Sequence, residues 1–103
     1  MSKTVQLEAY SKSNRQRFVG KSVLITGGAG GMGLAATKMF AAEGANVSVL
    51  DISEEAGKKM KKDMNDAGYD VFFKQADLSN SNEIDSGIEA VMEKNGTIDN
   101  LFN

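Results

Sequence analysis

The sequence predicts an α/β fold, the N-terminal half of a doubly wound parallel sheet with the element order βαβαβαβ. Short apolar runs alternate with longer amphipathic stretches from Val23 onward, which is typical of parallel strands joined by crossover helices. A glycine-rich segment, Gly27–Gly33, follows the first run, and the acids Asp51 and Asp77 follow the second and third. The sequence therefore predicts a ligand crevice at the carboxyl ends of the strands.

Four runs are predicted to be strands because each is short, largely apolar and bounded by glycine or polar residues. They are Lys21–Thr26, Asn46–Leu50, Val71–Gln75 and Ile98–Asn103. Parallel crossovers are nearly always right-handed, which predicts the strand order 3-2-1-4 if the fourth strand returns beside the first. The first two helices then cover one face of the sheet and the third covers the other, as in half of a Rossmann fold.

The three intervening helices are predicted from their apolar spacing and their caps. The first spans Met32–Glu43, Ser53 is an N-cap for the second, and Asn80 is an N-cap for the third. Asn80 with Glu83 has the spacing of a capping box. Glycines in the position that ends a helix are Gly44, Gly68 and Gly96.

The composition is that of one globular domain. Of the 103 residues, 41% are hydrophobic and 25% charged, and the net charge of −2 predicts no nucleic-acid partner. The lysines of the segment Lys58–Lys62 are predicted to form a solvated helix face. Cysteine and histidine are absent, which excludes disulfides and any Cys/His metal site. No apolar run approaches the roughly 18 residues of a membrane span, and we expect a cytoplasmic protein without membrane contacts.

The segment from Thr26 to Gly33 joins a predicted strand to a predicted helix, where such folds bind a diphosphate. Side chains would block the close approach of backbone N–H groups to phosphate, and the helix N-terminus adds unpaired donors. Three glycine registers fit: Gly28, Gly30 and Gly33; Gly27, Gly31 and Gly33; or Gly27, Gly30 and Gly33. These residues alone leave the register open.

Asp51 lies 18 residues beyond Gly33, close to the spacing of the carboxylate that binds the adenosine ribose of a dinucleotide. A carboxylate there would repel a 2′-phosphate, and the neighbouring Gly30 and Ile52 offer no cation to neutralise that phosphate. The pattern therefore favours NAD over NADP, although Asp51 could instead cap the turn that follows it. Asp77 could accept a hydrogen bond from the adenine amino group, or it could cap its own turn.

The chain from Val19 to its last residue resembles the short-chain dehydrogenase/reductase family in its non-extended form. The segments that carry the resemblance are Gly20–Gly27, Gly31–Gly33, Asp51, Ala76–Ser79 and Gly96–Asn103. The last of these segments contains the family's motif Gly-x-Ile-Asp-x-Leu-x-Asn. The resemblance favours the register Gly27, Gly31 and Gly33.

The resemblance implies roles for several of these residues. Thr26 would brace the junction of strand and loop, Met32 would offer its backbone N–H to the diphosphate, and Asn103 would lie beside the ribose. Asp77 and Leu78 would flank the adenine. The candidate cofactor-binding residues are thus Thr26, Gly27, Gly30, Gly31, Met32, Gly33, Asp51, Ile52, Asp77, Leu78 and Asn103.

The resemblance also implies an NAD-dependent oxidoreductase that interconverts a carbonyl and an alcohol by hydride transfer. The family's chemistry uses a serine and a Tyr-x-x-x-Lys pair, in which the lysine lowers the pKa of the tyrosine. Neither tyrosine here has that lysine, because Asn14 follows Tyr10 and Phe73 follows Tyr69. We therefore predict no catalytic residue and no metal ligand in this chain.

Residues 1–17 are predicted to be a polar, basic leader, and residues 18–103 the NAD-binding half of a Rossmann domain that stops inside its fourth strand. The rest of a longer parent, which the family resemblance implies to be a homo-oligomer, would bind a small alcohol or carbonyl substrate. The alternative is a stand-alone nucleotide-binding or association module without catalysis.

Overall fold

The computed structural model describes residues 17–103, which form a four-stranded parallel sheet and three helices. The strands are β1 (Ser22–Thr26), β2 (Asn46–Asp51), β3 (Phe72–Gln75) and β4 (Asn100–Phe102). The helices are α1 (Gly31–Ala42), α2 (Glu54–Asp66) and α3 (Ser81–Asn95). The predicted alternation of strands and helices is confirmed. Within this part of the chain, no helix is long and apolar enough to cross a membrane.

The strands lie in the order β3-β2-β1-β4, which confirms the predicted order 3-2-1-4. All three pairings are parallel. Ser22 of β1 lies beside Asn46 of β2, and Val23 lies beside Asn100 of β4. Because all four strands run in one direction, the segments that follow β1, β2 and β3 meet at a single edge of the sheet.

Two apolar layers cover the two faces of the sheet, since successive side chains of a strand point to opposite sides. Val23 and Ile25 of β1 belong to a buried cluster that includes residues of α1 and α2. Leu24, between them in sequence, belongs to a second cluster with Val91 of α3. The first two helices therefore cover one face and the third covers the other, as predicted.

The N-caps of α2 and α3 are those that the sequence predicts, but the capping box of α3 differs. Asn80 accepts hydrogen bonds through Oδ1 from the backbone N–H groups of Asn82 and Glu83. The Glu83 carboxylate accepts instead from the N–H of Asp77, at 3.1 Å. The N–H of Asn80 already donates to the Asp77 carbonyl, at 3.0 Å, and so it is not available to Glu83.

Two glycines allow α2 and α3 to approach the sheet closely, which the sequence analysis did not anticipate. A Cβ on Gly57 of α2 would lie 2.0 Å from the ring of Phe73. A Cβ on Gly87 of α3 would lie 2.8 Å from Leu50. Both helices therefore pack on bulky strand side chains at positions where only hydrogen fits.

Arg17, the last residue of the predicted leader, is attached to the folded domain. Its guanidinium donates to both carboxylate oxygens of Glu43, at 2.7 and 3.0 Å. Glu43 caps the C-terminal end of α1, and its side chain is only 1% exposed. Arg17 thus supplies two charge-assisted hydrogen bonds to a buried carboxylate, and it packs with the domain. Residues 1–16 of the predicted leader lie outside the described residues.

Candidate functional site

The carboxyl edge of the sheet brings together the glycine-rich loop and the two acids singled out by sequence. The loop follows β1, Asp51 ends β2, and Asp77 follows β3. The Gly27 N–H donates to the Leu50 carbonyl at 2.8 Å, and the Ala76 N–H donates to the Asp51 carbonyl at 3.0 Å. These two hydrogen bonds connect the start of the glycine-rich loop and the residue after β3 to the end of β2.

Several loop positions require glycine, either for a positive φ or for a close contact. Gly27 has φ +69° and Gly31 has φ +56°, both in the left-handed region that side chains disfavour. Gly33 contacts the loop so closely that an added Cβ would lie 2.0 Å from the Gly27 carbonyl oxygen. Gly30 is extended, with φ −154°, and any residue could adopt its backbone. An added Cβ on Gly28 would also lie within 3.0 Å of its neighbours, so glycine is required at Gly27, Gly28, Gly31 and Gly33, a set that includes the register favoured by the family resemblance.

The loop has a packed inner side and an open outer side. A Cβ on Gly28 would lie 2.9 Å from each of three side chains beneath the loop. By contrast, an added Cβ would meet nothing within 4 Å at several other loop positions. These open positions are Gly27, Gly30 and Gly31. The outer side therefore leaves room for a ligand to approach the backbone N–H groups of the loop closely.

The N-terminus of α1 lacks the side-chain cap that the N-termini of α2 and α3 have. Its N-cap, Gly30, provides no side-chain hydrogen bond, and its first turn carries no acid. The N-caps of α2 and α3 do accept such bonds, and both first turns carry acids. The N–H groups of the first turn of α1, which includes Met32, have no intrahelical acceptor and lie at the positive end of the helix dipole. The Met32 side chain is 82% exposed there.

The Asp51 carboxylate is fixed between the glycine-rich loop and the turn before α2. Its Oδ2 accepts from the Ala29 N–H at 3.2 Å, and its Oδ1 accepts from the Ser53 N–H at 3.0 Å. The carboxylate therefore caps the turn that follows it, one of the two roles considered. Each oxygen keeps a second lone pair that can accept a ligand hydroxyl. Ile52, the next residue, is 59% exposed.

Asp77 caps its own turn. Its Oδ1 accepts from the hydroxyl of Ser79 at 2.7 Å and from the backbone N–H of Ser79 at 2.9 Å. These two hydrogen bonds, the hydroxyl one first, lower the pKa of Asp77 below its ordinary value, because they stabilise the charged form. Leu78 is 37% exposed beside it. The carboxylate is thus ionised and accessible at the carboxyl edge of the sheet.

Thr26 and Asn103 lie together at the ends of β1 and β4. The Thr26 hydroxyl donates to the Asn103 side-chain oxygen at 2.6 Å. Thr26 therefore braces the start of the glycine-rich loop against the end of β4, and Asn103 lies at the same edge of the sheet.

Tyr69 does not belong to this site. Tyr69 lies just before β3, at the opposite edge of the sheet, and its N–H donates to the Met64 carbonyl. Tyr10 lies outside the described residues. Within residues 17–103, no three carboxylates come together in a way that could hold a metal ion.

Two residues that support the site were not found from the sequence. The Thr37 hydroxyl lies 3.1 Å from the Gly28 carbonyl oxygen and 2.9 Å from that of Gly33. The Gln75 side-chain amide donates to the Ile52 carbonyl at 3.0 Å. A threonine in a helix often bonds the i−4 carbonyl, which is a weak signal for the contact of Thr37 with Gly33 but not for its contact with Gly28. No local sequence pattern predicts the contact of Gln75 with Ile52, which joins residues 23 positions apart.

Comparison with known proteins identifies the class to which this fold and site belong. Residues 21–103 match the short chain dehydrogenase family, and the chain belongs to that family of oxidoreductases. It is 37% identical to a 3-oxoacyl-[acyl-carrier-protein] reductase of Chlamydia muridarum over 87 residues, which cover 84% of this chain and 35% of the relative.

Solved structures show the same fold. Levodione reductase is 37% identical with a TM-score of 0.79, over 84% of this chain and 34% of that one. A short chain dehydrogenase/reductase of Burkholderia phymatum in complex with NAD is 28% identical with a TM-score of 0.78, over 82% of this chain and 30% of that one. The chain thus spans about a third of the length of the proteins it matches.

Proposed function

We propose that this chain binds NAD, in preference to NADP, as the cofactor-binding half of an oxidoreductase that interconverts an alcohol and a carbonyl by hydride transfer. The N-terminus of α1 is the observation that carries the proposal. Of the three helices in residues 17–103, it alone lacks both a side-chain cap and a first-turn acid. A negatively charged diphosphate would satisfy those N–H groups and interact favourably with the helix dipole.

The shape of the loop fits a dinucleotide. Its outer side is open at Gly27, Gly30 and Gly31, so phosphate oxygens can reach the N–H groups of the loop and of Met32. At the same edge, Asp51 would accept hydrogen bonds from the adenosine ribose. The exposed side chains of Ile52 and Leu78, with Asp77, would flank the adenine, and Asn103 would lie beside the ribose, with Thr26 and Gly33 holding the loop in place.

The preference for NAD rests on charge. The Asp51 carboxylate is held in place by two backbone N–H groups, so it cannot turn away from a 2′-phosphate without losing both hydrogen bonds. Repulsion between the carboxylate and that phosphate would weaken NADP binding. The next side chain, Ile52, is exposed and uncharged, and therefore offers no compensating cation.

Bound NAD supplies the hydride acceptor, and this chain would bind and orient its adenosine diphosphate part. Proton transfer needs a group that Tyr69 does not provide, because Phe73 stands where the family has its lysine. We therefore propose that the proton-transferring residues and the site for a small alcohol or carbonyl substrate belong to the remaining two thirds of a longer, homo-oligomeric enzyme. The cytoplasmic location stays a prediction.

Titration calorimetry of the chain with NAD and NADP tests the cofactor proposal. We expect NAD to bind more tightly than NADP, and Asp51→Ala to weaken NAD binding by about ten- to a hundredfold, since a hydrogen bond to a charged group contributes about 1.5–3 kcal/mol. Asp70→Ala is the matched control, because Asp70 is an exposed carboxylate before β3, at the opposite edge of the sheet. Equal effects of the two variants, or tighter NADP binding, would contradict the proposal.

Two further experiments test separately the preference for NAD and the assignment of proton transfer to residues outside this chain. Asp51→Ala combined with Ile52→Arg should move the preference toward NADP, because the arginine replaces a repelling charge by an attracting one. Incubation of the chain with NAD and a panel of alcohols should give no NADH, and measurable NADH would contradict the assignment of proton transfer to residues outside this chain.

Association through β4 is a second candidate function. Within residues 17–103, β4 pairs with β1 alone, and Leu101 of β4 is 61% exposed. A strand with one neighbour can pair with a second copy of the chain. Sedimentation should then show a dimer that Leu101→Lys dissociates, and a monomer at high concentration would exclude this mode.

A further inference from the structure

The peptide unit between Gly28 and Ala29 is held at both ends by side chains from different elements. Its carbonyl oxygen accepts from the hydroxyl of Thr37, in the second turn of α1, at 3.1 Å. Its N–H donates to Asp51, at the end of β2, at 3.2 Å. Because a peptide unit is planar and rigid, these two contacts together fix its orientation.

Thr37 is buried directly beneath the loop, with 0% exposure. Its oxygen lies so close to the loop that a Cβ on Gly28 would be 2.9 Å from it. Within residues 17–103, no other group donates a hydrogen bond to the Gly28 carbonyl. The hydroxyl has a single hydrogen, which it shares between the Gly28 carbonyl at 3.1 Å and the Gly33 carbonyl at 2.9 Å, and the side chain thereby joins the loop to the first turn of α1.

We propose that Thr37 is a positioning residue for dinucleotide binding. Its hydroxyl sets the orientation of the Gly28–Ala29 peptide, and it thereby holds the Asp51 carboxylate and the donors of the first turn of α1 in one arrangement before the ligand binds. The inference rests on the proposed function and deepens it, since it concerns the same site.

Thr37 matters for binding because the Gly28 carbonyl loses its hydrogen-bond donor when the Thr37 hydroxyl is removed. A buried carbonyl that loses its hydrogen bond turns toward water or another donor. Turning this peptide takes the Ala29 N–H away from Asp51, which frees the carboxylate to rotate. Ligand binding must then restore the orientation of the peptide and of the Asp51 carboxylate. The free energy needed for this reordering is subtracted from the binding free energy, so the affinity is lower.

Ser48 provides a comparison in which a buried hydroxyl has no connection to the loop. It lies in β2 with 0% exposure, and its oxygen accepts from the side-chain amide of Asn95 at 3.2 Å. Asn95 is the last residue of α3, on the other face of the sheet from α1. Removing this hydroxyl should reduce stability without changing the orientation of the Gly28–Ala29 peptide.

Titration calorimetry with ADP-ribose tests the proposal on the 103-residue chain, with Thr37→Val, Thr37→Ser and Ser48→Ala. Valine preserves the shape of threonine, and serine keeps the hydroxyl. We expect Thr37→Val to bind about tenfold more weakly, a change of about 1.4 kcal/mol, while the serine and Ser48 variants stay within about twofold of the wild type. If Thr37→Val does not fold, Thr37→Ala replaces it.

Hydrogen exchange of the Ala29 amide, followed by NMR without ligand, gives a second measurement that stability alone does not explain. The wild-type amide should be protected, and it should exchange faster in Thr37→Val but not in Ser48→Ala. An unprotected wild-type amide, or unchanged ADP-ribose affinity in Thr37→Val, overturns this inference. A wild-type chain that does not bind ADP-ribose contradicts the proposed function itself, which makes the two failures distinguishable.

Discussion

Replacing Gly33 by alanine should destabilise the fold and weaken dinucleotide binding together. The new Cβ would lie 2.0 Å from the Gly27 carbonyl oxygen and 2.8 Å from its carbonyl carbon, whereas real Cβ atoms essentially never come within 3.0 Å of such neighbours. The loop and the first turn of α1 must therefore separate by about 1 Å, and overpacking of this kind costs about 1–3 kcal/mol. A cost of about 2 kcal/mol lowers the melting temperature of a domain this size by about 10 °C.

Gly30→Ala is the matched control because it makes the same change three residues away. Gly30 is extended and its added Cβ meets nothing within 4 Å, so stability should change by less than about 1 kcal/mol. Thermal unfolding of both variants measures the effect on stability, and titration of Gly33→Ala and the wild type with ADP-ribose measures the effect on binding. If Gly33→Ala melts within about 2 °C of Gly30→Ala and binds as the wild type does, the close contact with Gly27 does not exist.

Two further predictions concern stability. The pKa of Asp77 lies below its unfolded value of about 3.9, so its interaction with Ser79 stabilises the fold above about pH 4 and is lost as the pH falls through the folded-state pKa. In urea unfolding from pH 3 to 7, Asp77→Asn should therefore show a smaller loss of stability in acid, and an unchanged pH profile would exclude this contribution. Arg17→Ala should lower the free energy of unfolding by about 2 kcal/mol, since it removes two charge-assisted hydrogen bonds from buried Glu43. The exposed ion pair of Lys62 with Asp66 in α2 is the control, and Lys62→Ala should lower the free energy of unfolding by less than about 0.5 kcal/mol. Equal losses in the two variants would mean that the burial of Glu43 does not strengthen its interaction with Arg17.

Local sequence signals determined the fold and much of the candidate site. The alternating runs predicted the elements, and the handedness of crossovers predicted the strand order. The caps at Ser53 and Asn80 were predicted because a cap binds backbone donors only two or three residues away. The glycine-rich loop and Asp51 were predicted for a similar reason, since a strand followed by a loop places its next residues at a known edge of the sheet.

The tertiary structure decided which of these residues contact one another and which support them from beneath. Asp51 binds the N–H of Ala29, 22 positions away in sequence, and no local spacing predicts that contact. The capping box of α3 differs from its prediction because Asp77 offers Glu83 an N–H that Asn80 does not have free. Such partners depend on how close the folded backbone brings distant donors.

The same distinction explains what the sequence did not reveal. Glu43 looks like an ordinary surface acid at a helix end, yet Arg17, 26 positions earlier, covers it. Thr37 looks like one more small helix residue, yet its hydroxyl reaches Gly28 in the loop above it. Periodicity and spacing determine which elements form and where they end, because backbone geometry is local. The partner of a buried polar group is decided only when the elements pack, because its hydrogen-bond donor comes from another part of the chain.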